Sequence, residues 1–146
     1  MTPTLIGRWQ TRVALLATIG TAVSLLFAVA FGSPVFFAVL AYVALLGLAW
    51  DVPYSYLQSF RWERDWPPAF AVIAAAVEGL IIYLVATRVG LPGLPSDLPP
   101  GLFAIHYGAV WVTTYLFAQG PMRALFPWWR FHGGRIWPAV SRSQRR

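Results

Sequence analysis

The chain has 146 residues, of which 58% are hydrophobic and only 11% charged. Average soluble domains carry about 25% charged residues, and a single core in a chain this short has no room for so much apolar surface. A soluble globular fold is therefore excluded. The net charge of +6 is not a nucleic-acid signature either, because the Arg residues flank apolar runs instead of clustering on a polar face.

Four apolar runs stand out, each about as long as a bilayer core is thick. The alternating pattern of a membrane barrel is absent, so each run reads as a helix. The expected fold is all-α, a multi-pass membrane protein with four transmembrane helices in an antiparallel bundle. Residues 1–140 form its single domain, and residues 141–146 form a disordered basic tail.

Span 1 covers residues 13–31, after Arg8 and Arg12. Its basic start and Ala28-x-Ala30 ending also suit a cleaved signal peptide, but the apolar stretch is long for one. Gly20, Ser24, Ala28 and Gly32 recur every four residues, as do Ala71, Ala75 and Gly79 in span 3. Such small residues let helix backbones approach closely in lipid, either within the bundle or between chains. Gly32-Ser33-Pro34 then turns the chain into span 2, residues 35–56.

Span 2 ends in Trp50-Asp51-Val52-Pro53-Tyr54. Pro53 removes one helical hydrogen bond and is expected to kink the helix. Asp51 is acidic at the membrane edge and calls for a cation, with Arg123, Arg61 and Arg64 as candidates for an ion pair.

Span 3 covers residues 68–87 and holds Glu78 near its middle. A carboxyl there costs about 2.5–3.5 kcal/mol on insertion scales, so it needs a partner or a task. Burial favours the neutral acid, hydrogen-bonded to Tyr42, His106, Thr113 or Thr114. A structural bond, a proton or cation relay and a ligand contact are all open readings. Residues 88–101 carry four prolines and are expected to be stiff and partly polyproline-like.

Span 4 covers residues 102–119 and includes His106, which reads as a packing or interfacial residue. No metal site is expected, since Glu78 and His106 alone supply too few ligands. With no Cys, no phosphate-cradling Gly loop, no H-E-x-x-H and no G-x-S-x-G, neither a cofactor nor a catalytic group is indicated.

Ten of the eleven Arg lie at one end of the spans, and Arg88 is alone at the other. The positive-inside rule then puts both termini in the cytoplasm, and an Arg-only, Ala-rich and Leu-rich composition suits a bacterial plasma membrane. Seven of eight Trp fall near the same boundary. Trp62, Trp66, Trp128, Trp129 and Arg130 mark the densest part of this aromatic and basic face. It suits a bilayer with anionic headgroups, or docking to other membrane subunits or to a second copy.

FRWERDWPPAF and QGPMRALFPWWRFHGGRIW, with Glu78 between them, resemble segments of an uncharacterised family of four-span bacterial integral membrane proteins. The resemblance implies a multi-pass location and supplies no activity. The small multidrug resistance family also has four short helices and a buried Glu. There the Glu is in the first helix, and its antiparallel dimers need weak charge bias, unlike the ten-to-one bias here. The expected function is thus a membrane scaffold or accessory subunit without catalysis. The alternatives are a small proton- or ion-coupled transport component using Glu78 and, more weakly, a lipid-modifying enzyme.

Overall fold

Helix α1 starts at Leu5, well upstream of the first apolar run, and continues to Phe31. Thr4 caps it, its hydroxyl accepting from the Gly7 amide at 3.1 Å. A side-chain oxygen at that position satisfies one of the amides a helix start leaves unpaired. Arg8 and Arg12 are therefore helical residues of the first span. In the computed structural model, residues 4–60 and 68–137 are described.

Among these residues all regular structure is helical, with no strand. Four helices are long and apolar enough to cross a membrane. They are α1 (Leu5–Phe31), α2 (Val35–Ser59), α3 (Phe70–Gly90) and α4 (Pro100–Gln119). A short α5 (Pro121–Leu125) and a single 3₁₀ turn (Pro127–Arg130) follow. α1 widens into a π turn at Leu16–Gly20, and α3 ends in another at Val85–Gly90.

Pairing between helices reads as antiparallel throughout. Along α1 and α2, Arg8 meets Gln58, Arg12 meets Asp51, and Gly20 faces Leu40. Along α3 and α4, Gly79 faces Tyr107, while the Tyr83 ring lies tilted against Phe103. The helices pack in a ring, each against its neighbours in sequence, with α4 closing onto α1. The small residues at Gly20, Ser24, Ala75 and Gly79 serve this packing. A Cβ on Gly20 would lie 2.9 Å from Leu40, and one on Gly79 would lie 2.6 Å from the Tyr107 ring.

The turn between α1 and α2 is closed by Gly32 in the left-handed region, at φ 62°. The Ser33 amide donates back to the Ala28 carbonyl at 3.1 Å, the pattern that ends a helix on glycine. Pro53 lies inside α2, which runs unbroken to Ser59.

Within residues 88–101, residues 91–98 fold into turns, while Pro99 keeps the extended backbone of polyproline (φ −61°, ψ 127°). Gly90 and Gly93, both at φ 82°, let the chain fold into tight turns. The Leu94 amide bonds Leu91 at 3.0 Å and the Leu98 amide bonds Pro95 at 3.3 Å. These turns drive Leu94 and Leu98 into the end of the bundle, where they join Val39, Ile82, Ala86 and Phe103. Tyr42 and Tyr83 hold the segment down through the carbonyls of Pro92 and Leu98. Burial of two leucines outweighed the extended preference of the prolines.

At the opposite end the Trp-rich segment is stitched to α1. The Thr4 amide donates to the Gly133 carbonyl at 2.8 Å, and the Thr11 hydroxyl to the Gly134 carbonyl at 2.9 Å. Gln10 accepts from the amides of Ile136 and Trp137. Gly7 makes the approach possible, since a Cβ there would sit 2.0 Å from the Gly133 oxygen.

Candidate functional site

Three charged side chains from three helices converge inside the bundle. Asp51 comes from α2 and is 3% exposed; Glu78 comes from α3 and is 4% exposed. Arg12 reaches both from α1. Its Nε and Nη2 donate to the two carboxylate oxygens of Asp51, each at 3.0 Å. Its Nη1 donates to Glu78 Oε1, also at 3.0 Å. The first contact is the side-on, two-bond geometry that the planar guanidinium favours.

Gly47 opens the passage. It lies one helical turn before Asp51 on α2, and a Cβ there would stand 2.2 Å from Arg12 Nη1 and 2.9 Å from Glu78 Oε1. Only a missing side chain lets the guanidinium slide along α2 and touch α3. One turn earlier on α1, Arg8 donates to Gln58 at 2.7 Å, giving a second rung between α1 and α2.

The cluster forms part of the wall of a cavity of about 310 Å³. Tyr54, Tyr107, Trp111, Tyr115 and Trp129 supply aromatic surface, and Ala71, Ala74 and Ala75 supply the room. The polar atoms of these walls are largely engaged. Tyr107 donates to the Ala75 carbonyl, Tyr54 to that of Ala74, and Thr114 to that of Val110. Trp129 donates to Thr11 at 2.8 Å. An apolar chamber with a few convergent polar groups is the usual form of a small-molecule site.

The partner expected for Asp51 is corrected. Both its oxygens are taken by Arg12, while Arg123 donates to Gln119 on its own side of the chain. Arg61 and Arg64 lie outside the described residues. Glu78 meets a cation where neutral company was expected. Tyr42 donates to Pro92, Thr113 and Thr114 bond within their own helix, and His106 pairs elsewhere.

His106 is 1% exposed, and its Nε2 is 2.9 Å from the Ser24 hydroxyl. Phe27 and Phe36 enclose the ring at centroid distances of 5.1 and 4.9 Å. This matches a packing histidine. Among the described residues no three His, Cys, Asp or Glu side chains converge as a metal site would require.

The aromatic face also changes. Trp129 is 6% exposed and packs with Leu15 and Met122, so it is a wall of the interior and not a surface anchor. Trp128 stays exposed, its indole donating to the Ile136 carbonyl. Trp62, Trp66 and the Arg130 side chain lie outside the described residues.

Sequence reasoning passed over Arg12 and Gly47. Arg12 directly precedes the apolar run, where it reads as a flanking charge. The signal available was depth: Arg12 opens span 1 where Asp51 closes span 2, so a tight hairpin brings them level. Nothing in the sequence singles out Gly47. No family profile, characterised protein or solved structure matches the chain.

Proposed function

We propose that this chain is a multi-pass protein of a bacterial plasma membrane, with both termini in the cytoplasm, that binds a small amphiphile inside its bundle. The observation that carries this reading is the aromatic-walled cavity with the Arg12–Asp51–Glu78 cluster in its wall. An ionisable cluster inside membrane-spanning helices is by default a functional-site hypothesis. The reading keeps the non-catalytic, accessory role expected from the sequence. It moves the chemistry from the Trp and Arg face to the bundle interior. A transport path through Glu78 is less well supported, because Leu94, Leu98 and Phe103 fill the far half of the bundle.

Orientation rests on the Arg distribution. Reporter fusions after Ser141 are expected to read cytoplasmic, and insertions within residues 92–99 external. An external C-terminus sinks the orientation.

The binding reading is tested by native mass spectrometry of protein purified in mild detergent. The wild type is expected to carry a bound amphiphile of a few hundred daltons. Ala74→Leu, which fills the cavity from α3, is expected to lose it with an unchanged melting temperature. Both proteins appearing only at their own ligand-free masses overturns the reading.

A further inference from the structure

We propose that the ligand of this cavity is an uncharged amphiphile with a hydroxyl head, which donates to Glu78 Oε2 and accepts from Arg12. This rests on the binding reading above and names the ligand class.

Charge balance comes first. Among the described residues the charged side chains lining the cavity are Arg8, Arg12, Asp51 and Glu78, and Arg12 already pairs with both carboxylates. A ligand with a net charge would bring a further ion into an apolar site whose cation and carboxylates already pair with one another. An uncharged head avoids that penalty.

Hydrogen bonding then selects the group. Glu78 accepts the Arg12 bond through Oε1, and Oε2 takes no hydrogen bond from any described residue. Arg12 has five N–H groups, and three are engaged, with Asp51 and Glu78. The cluster therefore offers one acceptor and further donors on adjacent groups. A hydroxyl matches both with a single oxygen, because it donates and accepts at once. An ether or ketone would leave Oε2 unmatched, and an ammonium would leave the guanidinium unmatched.

Size limits the rest. At about 30 Å³ for each water-sized group, the chamber takes on the order of ten heavy atoms. That fits a medium-chain primary alcohol, or the hydroxyl end of a longer lipid whose chains continue outside. The aromatic and alanine walls suit the apolar part in either case.

The test uses the full chain in phosphatidylcholine nanodiscs, with the shift in tryptophan emission as the signal, since Trp111 and Trp129 line the cavity. The probes are 1-decanol, decane, decyltrimethylammonium, 1-decanesulfonate and dioleoylglycerol. Decanol or dioleoylglycerol is expected to bind saturably, at least tenfold tighter than the two charged probes and decane. The tighter of the two assigns the source as a free alcohol or a lipid head. Ala74→Leu is expected to remove the signal. Where that variant does not fold, competition between decanol and each other probe decides alone. A charged probe or decane that binds as well as the alcohols overturns the hydroxyl assignment and leaves cavity binding standing. Absence of saturable binding by every probe overturns both.

Discussion

Arg12→Met is expected to remove most of the folded protein, and neutralising its two partners as well is expected to bring it back. The single change leaves Asp51 and Glu78, both nearly fully buried, without their shared cation. Breaking a buried pair typically costs about 3–5 kcal/mol, and here one guanidinium serves two carboxylates. Domains have roughly 5–15 kcal/mol of stability in total, so the variant falls near or below the threshold for folding. The triple variant Arg12→Met, Asp51→Asn, Glu78→Gln removes all three charges and keeps similar volumes. Replacing a whole buried ion cluster by neutral groups is often close to neutral. Thermal melting and size-exclusion profiles in detergent check both. An Arg12→Met protein that melts with the wild type would show that the cluster contributes nothing to the fold.

Gly47→Ala is expected to destabilise, against the usual trend for glycine in a helix. Alanine is better than glycine in a helix interior by about 1 kcal/mol. Gly108 in α4 has open space around it, so Gly108→Ala should be neutral or stabilising. At Gly47 the added methyl would overlap the Arg12 Nη1 position and crowd Glu78 Oε1. The guanidinium must retreat and the Glu78 bond is lost. Hydrogen bonds to charged groups contribute about 1.5–3 kcal/mol, which outweighs the helix gain. In the Arg12→Met, Asp51→Asn, Glu78→Gln background the same substitution should lose most of its effect, because no guanidinium then occupies the slot. Melting temperatures of the four proteins in that cycle measure the coupling. Equal effects of Gly47→Ala in both backgrounds would refute the role given to this glycine.

The four spans were legible because lipid leaves few alternatives: a backbone without water must be helical, and the apolar runs have bilayer length. The start of α1 was missed because Arg8, Gln10 and Arg12 depress the local hydropathy, although Thr4 is a readable cap. The need of Asp51 and Glu78 for company was legible as well. Their actual partner was not, because Arg12 was judged by its distance from the apolar run. The helix carries it into register with both acids. Trp129 illustrates the opposite limit. Its composition suits an interface, but the Thr11 hydroxyl and the contact with Leu15 and Met122 draw it inward. Long-range pairings of that kind, 118 residues apart here, leave no trace in local pattern.

The folded turns of residues 91–98 bear on how the cavity exchanges its contents. Leu16, Val43 and Val110 belong both to its wall and to the dry cluster that Leu94 and Leu98 complete. On that side the cavity is walled by packed apolar side chains. On the binding reading proposed above, an occupant would enter and leave on the side away from that cluster. The same reading would make its occupancy follow the lipid on that one side, a dependence the proposed binding measurements can look for.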